Sequence, residues 1–110
     1  MKARYWEKGV KIDYKNSGSA AIEAGTVVTI GSRIGVAGAD IAVGATGSVI
    51  LDGVFVMPKA TGAVTLGQEL YFDASAGKVT TTKAESGAIY AGIAVDAAGS
   101  SDAEVLVRIN

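Results

Sequence analysis

The sequence contains no cysteine and no histidine. Without cysteine there is no disulfide, thiolate nucleophile, zinc ribbon or iron–sulfur ligand, and the redox compartment leaves no trace. Without histidine, the commonest general base and the commonest metal ligand are both missing. Aromatic residues make up 6%, and proline occurs once. Charged residues are 19%, against roughly 25% in an average globular protein. Ten Lys and Arg against eleven Asp and Glu leave a net charge of −1. Nothing therefore draws the chain globally to a polyanion, and no nucleic-acid partner is expected. There is no apolar run of about 18 residues to cross a membrane. Met1 to Lys8 also lack the apolar centre of a signal peptide. The expectation is a soluble, cytosolic, non-catalytic chain with no cofactor, no bound metal and no membrane partner.

What is present is small and apolar. Hydrophobic residues are 49% of the 110, with 15 glycines, and the mean hydropathy is +0.35. This length suits one domain, and the high apolar and low charged content argues against disorder. Residues 1–8 stand apart as an N-terminal arm. Lys2, Arg4, Glu7 and Lys8 are charged, with Tyr5 and Trp6 among them. Residues 9–110 then form short segments punctuated by Gly, Ser, Asn and Asp. That rhythm predicts an all-β fold, a small β-barrel or sandwich of about seven to nine short strands.

Individual strands are legible. Val10, Ile12 and Tyr14 alternate with Lys11, Asp13 and Lys15, the pattern of a strand with one solvated face. Thr26–Ile30 and Arg33–Ala37 flank Gly31-Ser32, a hairpin signal. Gly47–Met57 is the longest apolar run and reads as one strand. Val49, Leu51, Phe55 and Met57 lie on one face, with Ile50, Val54 and Val56 on the other, and Pro58 ends it. Glu69–Asp73 and Lys78–Thr82 form a second hairpin around Ala74–Gly77. Ala88–Val95 places Ile89, Ala91, Ile93 and Val95 on one face. In the last strand Val105, Val107 and Ile109 alternate with Glu104, Leu106 and Arg108, so the C-terminus is expected to be tied into a sheet. No helix is expected beyond a single turn at 83–87. Recurrent Ala-Gly and Thr-Gly pairs read as turn chemistry rather than an internal repeat.

Catalytic and phosphate-binding readings fail on spacing. Gly77-Lys78 is the only Gly-Lys pair, yet Phe72 stands where a phosphate loop needs its first glycine and Val79 where it needs Ser or Thr. The carboxylates Asp13, Glu23, Asp40, Asp52, Glu69, Asp73, Glu85, Asp96, Asp102 and Glu104 are scattered singly, without the spacing of an acid–base pair or cation site. Asp52 interrupts the long apolar run and reads as a structural or inter-subunit acid that needs a partner or water. The chain is therefore expected not to be an enzyme. The arm has the best claim to function, and Arg4, Tyr5, Trp6 and Lys8 are its candidate partner-binding residues. Trp6 could plug its own barrel. It could equally anchor in a partner's pocket, since buried aromatics concentrate binding energy, and an arm can add a strand to another chain's sheet edge.

The order of segments resembles a specific family. The series Ile34-Gly35-Val36-Ala37, Ile41-Ala42, Gly44-Ala45-Thr46-Gly47 and Val54-Phe55-Val56-Met57-Pro58-Lys59-Ala60 is distinctive. Gly67, Leu70-Tyr71-Phe72-Asp73, Gly77-Lys78-Val79-Thr80, Ala91-Gly92-Ile93-Ala94 and Val105-Leu106-Val107-Arg108-Ile109 continue it. The opening pattern Tyr5 to Tyr14, followed by Asn16, belongs to the same likeness. Together they resemble the small tailed-phage and prophage capsid decoration, or cement, proteins. Some members of that family carry a RecA/RadA-type recombinase label. The chain contradicts that label, since it has no phosphate-loop lysine in context and no room for a nucleotide-binding α/β core.

The resemblance implies a β-rich virion protein that sits as a homotrimer on the outer capsid surface and meets the major capsid protein. It would pass through the host cytoplasm during assembly. Its expected role is to bridge capsomers and stabilise the lattice, with the arm reaching onto the capsid. A homotrimer would also absorb the apolar surplus, and three sites acting together turn modest affinity into tight binding. The alternatives are another phage structural or morphogenesis protein (tail or head completion) or a nucleic-acid or recombination accessory. The last would need a basic, aromatic-studded groove, and outside the first fifteen residues the basic side chains are dispersed.

Overall fold

The chain alternates strands and Gly-rich turns without any helix among the described residues, which in this computed structural model are 1–83 and 88–109. The single turn considered at 83–87 therefore lies, beyond Lys83, outside them. Nine strands follow one another: β1 (Lys11–Lys15), β2 (Val27–Ile30), β3 (Arg33–Ala37), β4 (Thr46–Ile50), β5 (Gly53–Pro58), β6 (Glu69–Asp73), β7 (Lys78–Thr80), β8 (Ala88–Ala94) and β9 (Glu104–Ile109). They form two antiparallel sheets, ordered β1-β4-β3-β2 and β5-β9-β8-β6-β7. Neither closes into a barrel, so the barrel alternative is not realised. A single parallel bridge from Lys59 to Val79 draws the edges of the second sheet together at one end.

The long run Gly47–Met57 is two strands, not one. β4 ends at Ile50 in the first sheet and β5 begins at Gly53 in the second. Asp52 marks the crossing. It is exposed, and its Oδ1 accepts a hydrogen bond from the Gly53 amide at 3.0 Å. Gly53 sits at φ 127°, a conformation that breaks the strand and favours glycine. Apolar side chains alternate on both faces of the run because its two halves belong to different sheets.

A second correction concerns the internal repeat. The two sheets share one topology: β1, β2, β3 and β4 correspond in order and pairing to β5, β6, β8 and β9, with β7 added at the β6 edge. The correspondence extends to single hydrogen bonds. Ile22 and Ile41 exchange a reciprocal pair of backbone bonds, and so do Val64 and Ala98. The amide of Gly25 bonds the carbonyl of Ala37, as Gly67 bonds Ala94. These two turn glycines have φ values of 86° and 84°. Even the buried polar side chains correspond. Asn16 and Lys59 each follow directly on the first strand of their half, and their amides bond to Ala45 and Ala103. Each half is thus built on the same four-stranded antiparallel plan with a bridged loop, and the second half adds β7.

The cores follow from this plan. In the first half Val28, Ala37, Ile41 and Val49 are buried together, flanked by Ile12, Tyr14, Ile22, Ile30 and Leu51. The equivalent inner face of the second half contributes Leu70, Ala94, Ala98 and Val107, joined by Met57, Val105 and Ile109. Ile34 and Val36, on the opposite face of β3, pack into this second cluster and join the halves. Burial of this kind stabilises by about 25 cal/mol per Å² of apolar surface.

β8 departs from simple alternation. Tyr90 pairs with Tyr71 but Gly92 with Leu70, so Ala91 is an extra residue, a β-bulge. The expected face of Ile89, Ala91, Ile93 and Val95 is therefore broken. Beyond the bulge Ala94 is fully buried, while Ile93 and Val95 are only half-buried. Gly92 is required there, because a Cβ would lie 2.0 Å from the Arg108 carbonyl oxygen. Four strand limits also differ from the sequence reading. β2 begins at Val27 rather than Thr26, and β8 ends at Ala94 rather than Val95. β7 stops at Thr80 rather than Thr82, and Val10 lies outside β1 with its side chain exposed.

Candidate functional site

The arm has no secondary structure through Gly9, and Arg4, Tyr5, Trp6 and Lys8 are all exposed. Trp6 retains 84% of its accessible surface, so it does not plug its own chain. An apolar cleft where the two sheets meet lies close to the root of the arm, lined by Gly9, Ile12, Ile30, Leu51 and Tyr90 among others. Arg33 covers the Tyr90 ring at 5.8 Å on the rim of that region, a cation–π contact. Tyr71 meets Tyr90 edge-on, with ring centroids 6.0 Å apart.

A second unsatisfied surface lies on the outer face of β5 and β9. The alternation of the Gly47–Met57 run already offers its Val54 and Val56 side as a face that is either buried or meets a partner subunit, but does not point to β9. Val54 and Val56 are 53% and 58% exposed, and Leu106 is also exposed. The register places Val54 opposite Arg108, Val56 opposite Leu106 and Pro58 opposite Glu104. All six therefore share the solvent face, while Phe55, Met57, Val105 and Val107 point to the core. Alternation in this segment was legible, but only the topology shows that β5 is an edge strand. Beside Val56 and Leu106 a shallow hollow is rimmed by three carboxylates, Asp96, Asp102 and Glu104.

Lys59 was also missed as a distinct residue, although it stands inside the Met57-Pro58-Lys59-Ala60 signature. It is buried, and its Nζ donates to the carbonyls of Gly62 (2.7 Å), Ala60 (3.1 Å) and Ser100 (3.4 Å). Its counterpart Asn16 donates through Nδ2 to Ala20 (2.9 Å) and Ile41 (3.0 Å) and accepts from the Gly18 amide. Both side chains pin loops by donating to backbone carbonyls, two of which, Ile41 and Ser100, also accept a backbone amide.

The scattered acids mostly cap turns. Asp40, Asp96 and Asp102 accept from the amides of Ala24, Ala97 and Gly99. Asp73 accepts from the Ser75 hydroxyl at 2.7 Å and, at longer range, from the amides of Ser75 and Ala76. The hydroxyl bond leads these contacts in holding its carboxyl below the usual range. Tyr71 shifts upward, chiefly because its hydroxyl donates to Glu69. Among the described residues no three His, Cys, Asp or Glu side chains gather as metal ligands. No helix there is long and apolar enough to cross a membrane.

The site is thus a pair of surfaces suited to docking, one on a free arm and one on a sheet edge. Against known families, the model of the phage cement protein matches residues 6–109, from Trp6 to the end of the last strand. No curated protein and no solved structure matches the chain. With nearly its whole length matched, the chain belongs to the phage cement protein family, a family of structural, capsid-associated phage proteins.

Proposed function

We propose that the protein decorates the outer capsid lattice as a homotrimer, contacts the major capsid protein and stabilises the shell against internal pressure. The family match over residues 6–109 carries this reading. The exposed arm and the open β5–β9 face support it, because a chain that works by contact needs surfaces left free in the isolated protomer. Arg4, Tyr5, Trp6 and Lys8 form the contact segment, with the aromatics as anchors and the charges as a polar rim. Residues 1–8 form the arm and residues 9–110 one folding unit. The chain is not an enzyme, and its work is done at many lattice sites by contacts of a few kcal/mol each, reinforced by trivalency.

Sedimenting undecorated heads with the purified chain tests the proposal. Co-sedimentation at a fixed ratio, a light-scattering mass of three chains and heads that survive greater heat or osmotic stress are expected. Heads that leave the chain in the supernatant overturn the decoration role. A chain lacking residues 1–8 that binds heads as well as the full chain removes the arm from partner binding.

A further inference from the structure

The internal repeat supplies a control for reading the surface. β1 and β5 are equivalent edge strands, and the shared register places Lys15 against Pro58, since Asn16 and Lys59 follow them in equivalent bonds. Stepping back along both strands aligns Asp13 with Val56 and Lys11 with Val54. The edge of the first half thus carries exposed Lys11, Asp13 and Lys15, the charges that keep a free edge from pairing. The edge of the second half carries Val54, Val56 and Pro58, all exposed. The same backbone framework protects one edge with charges and leaves the other apolar, free at its Gly53 end and approached by β7 only past Pro58, where Lys59 and Ala60 meet Val79.

The arm fits that open edge in shape and charge. Met1–Lys8 carries Lys2, Arg4 and Lys8 against Glu7, together with Tyr5 and Trp6. The β5–β9 face offers two valines and Leu106, with Asp96, Asp102 and Glu104 gathered beyond Val56. Eight extended residues span roughly 26 Å, enough to cover the six residues of β5. Lys2, Arg4 and Trp6 share one face of an extended strand. Laid antiparallel to β5, with Trp6 over the valines, that face carries Arg4 and Lys2 towards the carboxylates. Arg108, the basic residue of this face, stays at the far end opposite Val54.

We propose that the arm of one copy adds as an antiparallel strand to the β5 edge of the next copy, with Trp6 packed on Val54 and Val56 and with Arg4 beside the Asp96–Asp102–Glu104 hollow. This rests on the homotrimeric reading above: Trp6 and Arg4 join copies of the chain, and Tyr5, on the other face of the extended arm, is left for the lattice contact. The contact is heterologous, arm to edge, and such contacts close into rings when the rotation allows.

The test needs no capsid. Light scattering and sedimentation velocity on the full chain are expected to show an assembly. Trp6→Ala on the arm, or Val54→Lys with Val56→Asp on the edge, should weaken it by roughly tenfold or more. The edge pair installs the residues that β1 already carries, and circular dichroism confirms that both variants stay folded. Mixing the Trp6→Ala and Val54→Lys/Val56→Asp proteins should restore one joint per pair and yield a heterodimer. Because the native chain has no cysteine, Lys2→Cys on one protein and Val56→Cys on another, which share a face in this arrangement, should be joined by a short bismaleimide across chains.

An assembly unmoved by either variant, a mixture that stays monomeric, or a full chain that is itself monomeric overturns the arm-to-edge contact. So does a Trp6 emission that stays that of a solvent-exposed indole in the assembled protein. Failure of head binding with these associations intact overturns the decoration role alone.

Discussion

The two halves of the molecule share a strand order, a bridged loop and a pair of turn glycines, yet they use the plan differently. The first half surrounds its inner cluster with charged edge residues and lends Ile34 and Val36 to the joint. The second half receives that joint, adds β7 at one edge and leaves Val54 and Val56 open at the other. What the halves have in common is what the fold needs. Where they differ, at the β5 edge, lies the candidate surface for a partner.

The sharpest way to break the comparison is at equivalent glycines. Gly35 and Gly92 both face the strand that follows the bridged loop, against Ile50 and Arg108. A Cβ at Gly92 would lie 2.0 Å from the Arg108 carbonyl oxygen, at φ 149°. At Gly35 the nearest atom is a side-chain methyl, Val49 Cγ1 at 2.4 Å, with the Ile50 carbonyl at 3.0 Å. Backbone cannot yield as a methyl can. Gly92→Ala should therefore cost about 3 kcal/mol or more, and Gly35→Ala roughly 1–3 kcal/mol. Urea unfolding of the two variants checks the order, and equal losses would mean that the β8 bulge relaxes.

The buried polar pair gives the next largest effect. Asn16→Ala leaves the carbonyls of Ala20 and Ile41 and the amide of Gly18 without their side-chain partner, at a cost of about 2–3 kcal/mol. Lys59→Met keeps the stem and removes the buried charge, which offsets part of the lost bonding, so about 1–2 kcal/mol is expected. Thermal melts of both variants decide between a lysine held for its charge and one held for its packing. A larger loss at Lys59 would show that the ammonium is the stronger clasp.

The sequence made the strands legible because alternation reports one-sided burial, and it does so well in β1 and β9. It failed where pattern and topology part company. Gly47–Met57 kept its alternation while changing sheets, a move signalled only by Asp52-Gly53. The repeat stayed hidden because β7 and its flanking loops shift the spacing between halves, and the equivalent positions share mainly glycines and alanines. Gly25 with Gly67, Gly35 with Gly92 and Ala37 with Ala94 are too small a set to stand out in a chain rich in both. The arm was legible as a polar, aromatic island. Of the β5–β9 face only the Val54 and Val56 side was legible, because the two strands are far apart in sequence and edge position belongs to the sheet.

A gentler test moves the surface character of one half to the other. Lys11→Val with Asp13→Val gives β1 the side chains of β5. Both positions are exposed, so stability should change by no more than about 0.5 kcal/mol. Solution behaviour should change more, with new concentration-dependent association read by light scattering. An unchanged mass would mean that apolar side chains alone do not open an edge, and that the carboxylates beside Val56 are also required.

The smallest effect separates the hairpins. β2 and β3 turn through Gly31-Ser32, whereas β6 and β7 turn through Ala74–Gly77 beneath the Asp73 carboxylate. With the Asp73 carboxyl pulled down chiefly by the Ser75 hydroxyl, its ionised form is favoured in the folded chain. Its contribution is present above the unfolded carboxyl range and lost as pH falls through the lowered folded value. Hydrogen exchange at the Gly77 amide, which bonds the Asp73 carbonyl at 2.8 Å, should therefore quicken on acidification beyond its intrinsic pH dependence. Asp73→Asn should flatten that response and leave the Gly31 turn as it was. If both turns respond alike, the acid sensitivity belongs to the fold as a whole and not to the hairpin that the second half alone carries.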